Sequence, residues 1–167
     1  FQISLPWVPI GELIQSIRRT GVLSPLRLNR VPSGELRIIS GFRRHTAARQ
    51  AGLQQVPCFI TSEDDTLGLF RQALEDNLAS RDLHILEKGT AVSKLHRTFK
   101  VSDQLLLGEY LPLLGIPADR FHLQRYLNLA SLRHSLRTAI TKDLQPETAL
   151  KLPRWTNEEQ DFFVKLV

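Results

Sequence analysis

The chain has 167 residues, of which 42% are hydrophobic and 23% are charged, a composition that excludes a disordered chain. Its apolar runs are too short for a membrane-spanning helix, and its single cysteine excludes an internal disulfide or a multi-cysteine metal site. The net charge of +5 is uneven, because residues 88–142 carry 9 basic against 3 acidic residues. Such a local excess is typical of a nucleic-acid-binding segment, although a solvated basic face gives the same count.

Helices and strands are predicted to alternate in the first half of the chain. In chain order the patterns predict a helix at Glu12–Thr20, strands at Pro25–Asn29 and Leu36–Ser40, a helix at Arg43–Ala51, a strand at Val56–Ile60 and a helix from Ser62 to about Leu78. Cys58 is expected to be a buried core residue of the last strand. Prolines in the first ten residues interrupt any secretory signal, so we expect a cytoplasmic protein.

From about Leu83 onward every predicted element is a helix. The predicted helices are Leu86–Phe99, Asp103–Leu114, Ala118–Ala130, Leu132–Ile140 and Arg154–Val167. The sequence therefore predicts the α+β class, with a small mixed-sheet domain at residues 1–82 and an all-α domain at 83–167. The basic excess belongs to the helical part.

The turn between the second strand and its helix has the features of a phosphate-binding element. Gly41 allows close approach of the backbone, and the helix start offers unpaired N–H groups and the positive end of its dipole. Arg43 and Arg44 add charged donors that can bind phosphate oxygens in pairs. An ordinary strand–helix connection with solvated arginines is the alternative.

A second polar stretch lies at the end of the long helix predicted after residue 62. Asp76 and Asn77 carry the oxygen donors that Mg²⁺ and its bound triphosphate require. The alternative is an acidic cap region before the next helix.

The segment from about 103 to 130 has the pattern of a helix-turn-helix. Gly115 serves the turn and Pro117 is expected at the first position of the second helix. Leu123, Leu127 and Ala130, with Phe121 nearby, are expected to pack inward. The residues expected to face outward, as side chains that contact bases and phosphates, are Arg120, His122, Gln124, Arg125 and Asn128. A plain helical bundle with polar residues outside is the alternative.

Three ordered motifs resemble those of the ParB partition-protein family. Ser16–Leu26 follows the first, S-I-x-x-x-G-[LIV]-[LI]-Q-P-[LI], except that serine at position 24 replaces glutamine. Gly41–Ala47 follows the second, G-E-R-R-x-R-A, and Asp76–Glu87 follows the third, E-N-L-x-R-x-D-L. Phe42 and Thr46 replace a glutamate and an arginine of the second motif.

This resemblance implies a ParB/sulfiredoxin fold followed by a DNA-binding helix-turn-helix domain. It implies binding of CTP with Mg²⁺, closure of two N-terminal domains into a clamp on duplex DNA, and a role in plasmid or chromosome partition or in transcription control. Self-association would occur through the N-terminal domain or a segment outside this chain, in a protein associated with the nucleoid or a plasmid. The residues implied to hold the nucleotide are Leu23, Ser24, Gly41, Arg43, Arg44 and Asn77.

The altered motif positions bear on catalysis. Asp76 is implied as the catalytic residue and, with Asn77, as a Mg²⁺ ligand, but its carboxylate is one methylene shorter than the family's glutamate. Phe42 replaces the other carboxylate, so the sequence predicts at most a weak CTPase. An enzyme on the same fold, a metal-dependent nuclease or a phosphotransferase, remains the alternative.

Overall fold

A computed structural model describes residues 2–3, 9–140, 144 and 146–166. Contacts divide the chain into two compact units, Phe1–Arg81 and Asp82–Val167, and the division falls one residue before the predicted boundary. The α+β class predicted from the sequence is confirmed. Among the described residues, no helix is long and apolar enough to cross a membrane.

In its described part, the first unit contains a three-stranded mixed sheet and three helices. Its elements are α1 (Gly11–Thr20), β1 (Leu26–Arg30), β2 (Leu36–Ser40), α2 (Phe42–Ala51), β3 (Cys58–Thr61) and α3 (Thr66–Ser80). The strand order is β2-β1-β3, with β1 antiparallel to β2 and parallel to β3. The central strand β1 therefore fixes the positions of both neighbours.

Two small clusters and one buried amide hold this unit together. Ile17 of α1 packs on the small residues Ala47 and Ala48 of α2, which lets the two helices approach closely. In the second cluster, Leu69 and Ala73 of α3 pack on Ile39 of β2. The side chain of Asn29 is buried and exchanges two hydrogen bonds of 2.9 Å with the backbone of Glu63, which ties β1 to the segment that enters α3.

Cys58 is exposed, so the prediction of a buried core cysteine is wrong. The strand that carries it lies at the edge of the sheet and pairs with β1 alone. An apolar run such as Val56–Ile60 has the same pattern in a buried strand and in a partly exposed edge strand, so the sequence does not separate the two.

The second unit is helical throughout its described part. Its α-helices are α4 (Ile85–Ser93), α5 (Asp103–Leu105), α6 (Leu111–Leu113), α7 (Arg120–Ala130), α8 (His134–Ala139), α9 (Pro146–Ala149) and α10 (Asn157–Leu166). Wide π-helical turns at Lys94–Thr98 and Leu106–Tyr110 follow α4 and join α5 to α6. The last position of the predicted C-terminal helix, Val167, lies outside the described residues.

Helix α7 packs closely on α4 through a glycine. A Cβ at Gly89 would lie 3.3 Å from the carbonyl oxygen of Tyr126, so a side chain there would require α7 to shift by a few tenths of an ångström. Helix α7 begins at Arg120 rather than at Ala118, because the side chain of Asp119 caps it. Pro117 therefore lies before the cap, and its predicted place at the first helical position is wrong.

Candidate functional site

The start of α2 is the first part of the site. Gly41 has a φ of 102°, which side-chain-bearing residues rarely adopt, and a Cβ there would lie 3.0 Å from Cγ of Leu26. The helix that follows has no side-chain cap and no acidic residue in its first turn. Its first N–H groups and its dipole are therefore available to an anion.

Two arginines extend from this helix start. Arg44 donates from one nitrogen to the carbonyl oxygens of Ser24 and Pro25, at 2.6 and 2.8 Å, and so holds the loop before β1. Arg43 donates to the carbonyl oxygen of Pro9 at 3.2 Å. The Nε of Arg43 is buried and has no hydrogen-bond partner among the described residues, which leaves one donor of this guanidinium unsatisfied.

A row of three side chains crosses the sheet beside this helix start. Arg27 of β1 lies in register with Ser40 of β2 and with Phe59 of β3. Residues that are paired across adjacent strands project from the same face. Arg27 also pairs with Asp76 near the end of α3, at 2.9 Å between Nε and Oδ2.

These elements surround one cleft of about 640 Å³ within the first unit. It is lined by six of the residues predicted from the sequence, namely Ser24, Gly41, Arg43, Arg44, Asp76 and Asn77. Leu23, the remaining predicted residue, is 78% exposed and lies outside the lining. The roles of all seven residues stay predictions.

The charge of the lining is strongly positive. Among the described residues, the lining contains arginines at positions 27, 43, 44 and 81 and one carboxylate, that of Asp76. Guanidinium groups gathered around one cleft repel each other, and a polyanion such as a triphosphate offsets this repulsion. Sequence reasoning missed Arg27 and Phe59, because only the cross-strand register brings them to the cleft.

The oxygen donors of the lining fit a magnesium ion that is held mainly by phosphates. Asp76 supplies a partly exposed carboxylate. Asn77 lines the cleft and donates one amide N–H to the carbonyl oxygen of Ala73 at 2.7 Å, and its amide oxygen is of the kind that Mg²⁺ prefers. Mg²⁺ bound with a nucleotide commonly takes one or two protein oxygens and completes its shell with phosphate and water. Among the described residues, no three His, Cys, Asp or Glu side chains form a metal-binding cluster.

In the second unit, the N-terminal end of α7 is rigidly held. Asp119 accepts a hydrogen bond from the backbone N–H of His122 and another from its ring nitrogen Nδ1, both at 2.8 Å. The bond from the backbone N–H, followed by that from the ring, holds the pKa of the Asp119 carboxyl below its ordinary value. Because a carboxylate only accepts, Nδ1 of the ring carries the proton.

All five predicted DNA-contacting residues lie on α7, with His122 and Asn128 in the half-buried class. Arg120 and Gln124 are exposed, and Gln124 donates to Asn128 at 2.7 Å. The expectation that Arg125 faces outward is wrong, because its side chain is only 11% exposed. Its guanidinium lies 3.5 Å from Glu147 and 5.2 Å from the centre of the Phe121 ring.

Phe121 was expected to pack inward and instead is 54% exposed. Two guanidinium groups flank its ring, those of Arg125 at 5.2 Å and Arg154 at 5.8 Å. The start of α7 at Arg120 places Phe121 in the first turn, away from the stripe formed by Leu123 and Leu127. An exposed ring held between two cations adds an apolar contact surface to this end of the helix.

The sequence is similar to known proteins, most clearly in the first unit. The sequence model of the ParB N-terminal domain matches residues 8–78. The chain is 39% identical over 95 residues to the probable chromosome-partitioning protein ParB of Vibrio cholerae, covering 57% of this chain and 32% of that protein. It is 31% identical over 160 residues to the corresponding Mycobacterium leprae protein, covering 86% of this chain and 47% of the relative. The chain thus spans between a third and a half of the length of these relatives.

A solved structure has the same fold. The C-terminally truncated chromosome-partitioning protein ParB from Caulobacter crescentus, complexed to the centromeric parS site, aligns over 97% of this chain and 84% of its own. The TM-score is 0.51 and the sequence identity 20%. This likeness supports the fold described above, a small α+β domain followed by helices. Residues 8–78 match the ParB N-terminal domain and the chain is similar in sequence to ParB proteins, as its three motifs predict.

Proposed function

We propose that this chain is a nucleotide-responsive DNA-binding protein of the ParB type that acts in chromosome or plasmid partition or in gene control. Its first unit binds CTP with Mg²⁺, and its second unit binds duplex DNA. The observation that carries the proposal is the cleft in which the uncapped start of α2 meets four arginines. The resemblance of the three motifs to the ParB family supports CTP as the nucleotide.

The arrangement of the cleft suggests how a triphosphate is held. The N–H groups at the start of α2 and the guanidinium groups of Arg43 and Arg44 bind its oxygens, and Arg27 neutralises further charge. Asp76 and Asn77, which both line the cleft, would hold a magnesium ion bound with the nucleotide, and the ion would offset phosphate charge. Because Arg44 also holds the loop before β1, nucleotide binding couples to the position of this loop.

Duplex DNA is the proposed partner of the second unit. Arg120, Gln124 and Asn128 on α7 offer donors suited to phosphates and base edges, within the segment that carries the basic excess. Arg125 is proposed as a positioning residue that orients the Phe121 ring rather than as a direct contact. The Caulobacter relative of this fold is complexed to its parS site, which supports the assignment. Self-association into a DNA clamp, as the family resemblance implies, completes the proposal.

Titration calorimetry tests the proposal directly. CTP, ATP and GTP are titrated into the chain with and without Mg²⁺ and duplex DNA. We expect CTP to bind, and Arg44→Ala to weaken binding by at least about tenfold, since it removes a charge-assisted contact. Arg49→Ala, an exposed arginine in the last turn of the same helix, is the matched control and leaves binding unchanged. Magnesium-dependent DNA cleavage that disappears in Asp76→Ala would instead establish the nuclease alternative.

A further inference from the structure

The cleft has two chemically different ends. The row Ser40, Arg27 and Phe59 forms one line across β2, β1 and β3, and all three residues line the cleft. The Ser40 end adjoins Gly41 and the start of α2, where the positive charge is concentrated. The Phe59 end lies two strand spacings away, about 10 Å, and presents an aromatic ring.

Phe59 is unusual for its place in the fold. It is 62% exposed on an edge strand, so burial in the core does not explain why a large apolar residue stands at this position. The ring nevertheless stands in register with Arg27, and it faces the same cleft as the phosphate-binding groups. An exposed aromatic ring beside a cationic cleft is a stacking surface for a planar group attached to phosphates.

We propose that Phe59 is the stacking platform for the nucleobase and fixes the direction in which the nucleotide lies in the cleft. The phosphates lie at the start of α2, and the base lies over the ring on β3. This inference rests on the proposed nucleotide binding and adds a specificity-determining residue to it. The separation of about 10 Å between the two ends suits an extended nucleoside triphosphate, whose ribose spans the cleft over Arg27.

A comparison of two ligands isolates the contribution of the ring. CTP carries the base, whereas inorganic tripolyphosphate carries only the charged groups. We expect Phe59→Leu, which keeps an apolar side chain but removes the ring, to weaken CTP binding by roughly five- to a hundredfold, the range found for base–aromatic stacking. Tripolyphosphate binding by the same variant stays unchanged. Phe59→Tyr, which keeps the ring, retains CTP binding.

Ile60→Ala is the matched control, because Ile60 is the next residue of the same edge strand, is also exposed and lies outside the cleft lining. It leaves the binding of both ligands unchanged. Phe59→Trp adds a direct readout, since stacking of a base on the indole changes its fluorescence on addition of CTP but not of tripolyphosphate. The background from Trp7 and Trp155 is subtracted with the unsubstituted chain.

The outcomes separate this inference from the proposed function. If the unsubstituted chain binds CTP, and Phe59→Leu weakens CTP and tripolyphosphate equally or neither, the stacking role is overturned while the nucleotide site stands. If the unsubstituted chain binds neither ligand, the nucleotide site itself is overturned and the inference is lost with it. A loss confined to CTP establishes both.

Discussion

The substitution Gly41→Ala tests whether the start of α2 must lie as close to β1 as the structure shows. Gly41 has a φ of 102°, and a Cβ would lie 3.0 Å from the Cγ of Leu26. Gly52 at the other end of the helix also has a positive φ, 86°, but no atom lies within 4 Å of its Cβ position. Gly52→Ala is therefore a matched control for backbone strain without the contact.

The two variants differ by the cost of that contact. A left-handed conformation costs an alanine about 1–2 kcal/mol, a term common to both. Leu26 is fully buried and cannot turn aside easily, so the extra methyl group of Gly41→Ala adds about 1–3 kcal/mol of overpacking. Each kcal/mol lowers the melting temperature of a domain of this size by roughly 4–8 °C.

Thermal unfolding and calorimetry with tripolyphosphate measure the two effects. We expect Gly52→Ala to lower the melting temperature modestly and to leave binding unchanged at a temperature where both variants are folded. Gly41→Ala should melt lower still and lose at least about tenfold in affinity, because the methyl group displaces the N–H groups that hold the phosphates. Equal losses in the two variants would refute the reasoning that close approach at Gly41 builds the site.

Two further predictions concern the second unit. Arg120→Ala is expected to reduce the slope of log affinity for duplex DNA against log salt concentration by about one. The control is Lys165→Ala, which removes an exposed lysine of α10 and leaves the slope unchanged. An unaltered slope in Arg120→Ala would show that the DNA binds elsewhere. For Asp119 the folded-state pKa is lowered, so its stabilising contribution is present above the pKa of the unfolded chain and is lost as the pH falls through the folded value. The unfolding free energy, measured between pH 7 and pH 2, should therefore fall more steeply below about pH 4 for the unsubstituted chain than for Asp119→Asn. This variant keeps an oxygen acceptor for the backbone N–H of His122 but has no charge. Parallel curves would exclude the charge of Asp119 as a source of stability.

Local patterns predicted the elements of the site better than their assembly. The strand, the glycine and the basic helix start are adjacent in sequence, so the element from Leu36 to Ala51 could be predicted from propensity and spacing. The place of Arg27 and Phe59 in the cleft depends on the register of three strands, which short-range patterns do not contain. Without that register, the sequence does not predict that the cleft has a cationic end and an aromatic end.

The two orientation errors on α7 have different causes. Phe121 lies two residues, or about 200° around the helix, from Leu123, so it is off the stripe of Leu123 and Leu127 and stays exposed in the first turn. Arg125 is polar by type, yet Phe121 and Glu147 enclose its side chain. For Arg125, a tertiary contact between distant segments overrides the orientation that helical periodicity predicts.

The single carboxylate of the cleft leads to a prediction whose sign depends on magnesium. Asp76 holds Arg27 in an ion pair and brings negative charge to a site proposed for a polyanion. Without Mg²⁺, this charge opposes phosphate binding and occupies a cation that could otherwise contact the phosphates. In the proposed magnesium complex, the same carboxylate would be a ligand of the ion. On this proposal Asp76 opposes the bare anion and supports its magnesium complex.

Asp76→Asn should therefore bind CTP more tightly than the unsubstituted chain in EDTA and gain less, or lose affinity, when Mg²⁺ is added. Both partners of the ion pair are partly exposed, so solvent screens the effect to about 1 kcal/mol, or fivefold in affinity. Glu75→Gln is the matched control, because Glu75 pairs with Arg71 on the neighbouring face of α3 and lies outside the cleft lining. Calorimetry in the two buffers measures the coupling. An equal change in affinity with and without Mg²⁺ would show that Asp76 acts on the phosphates by charge alone and that the metal is held without it.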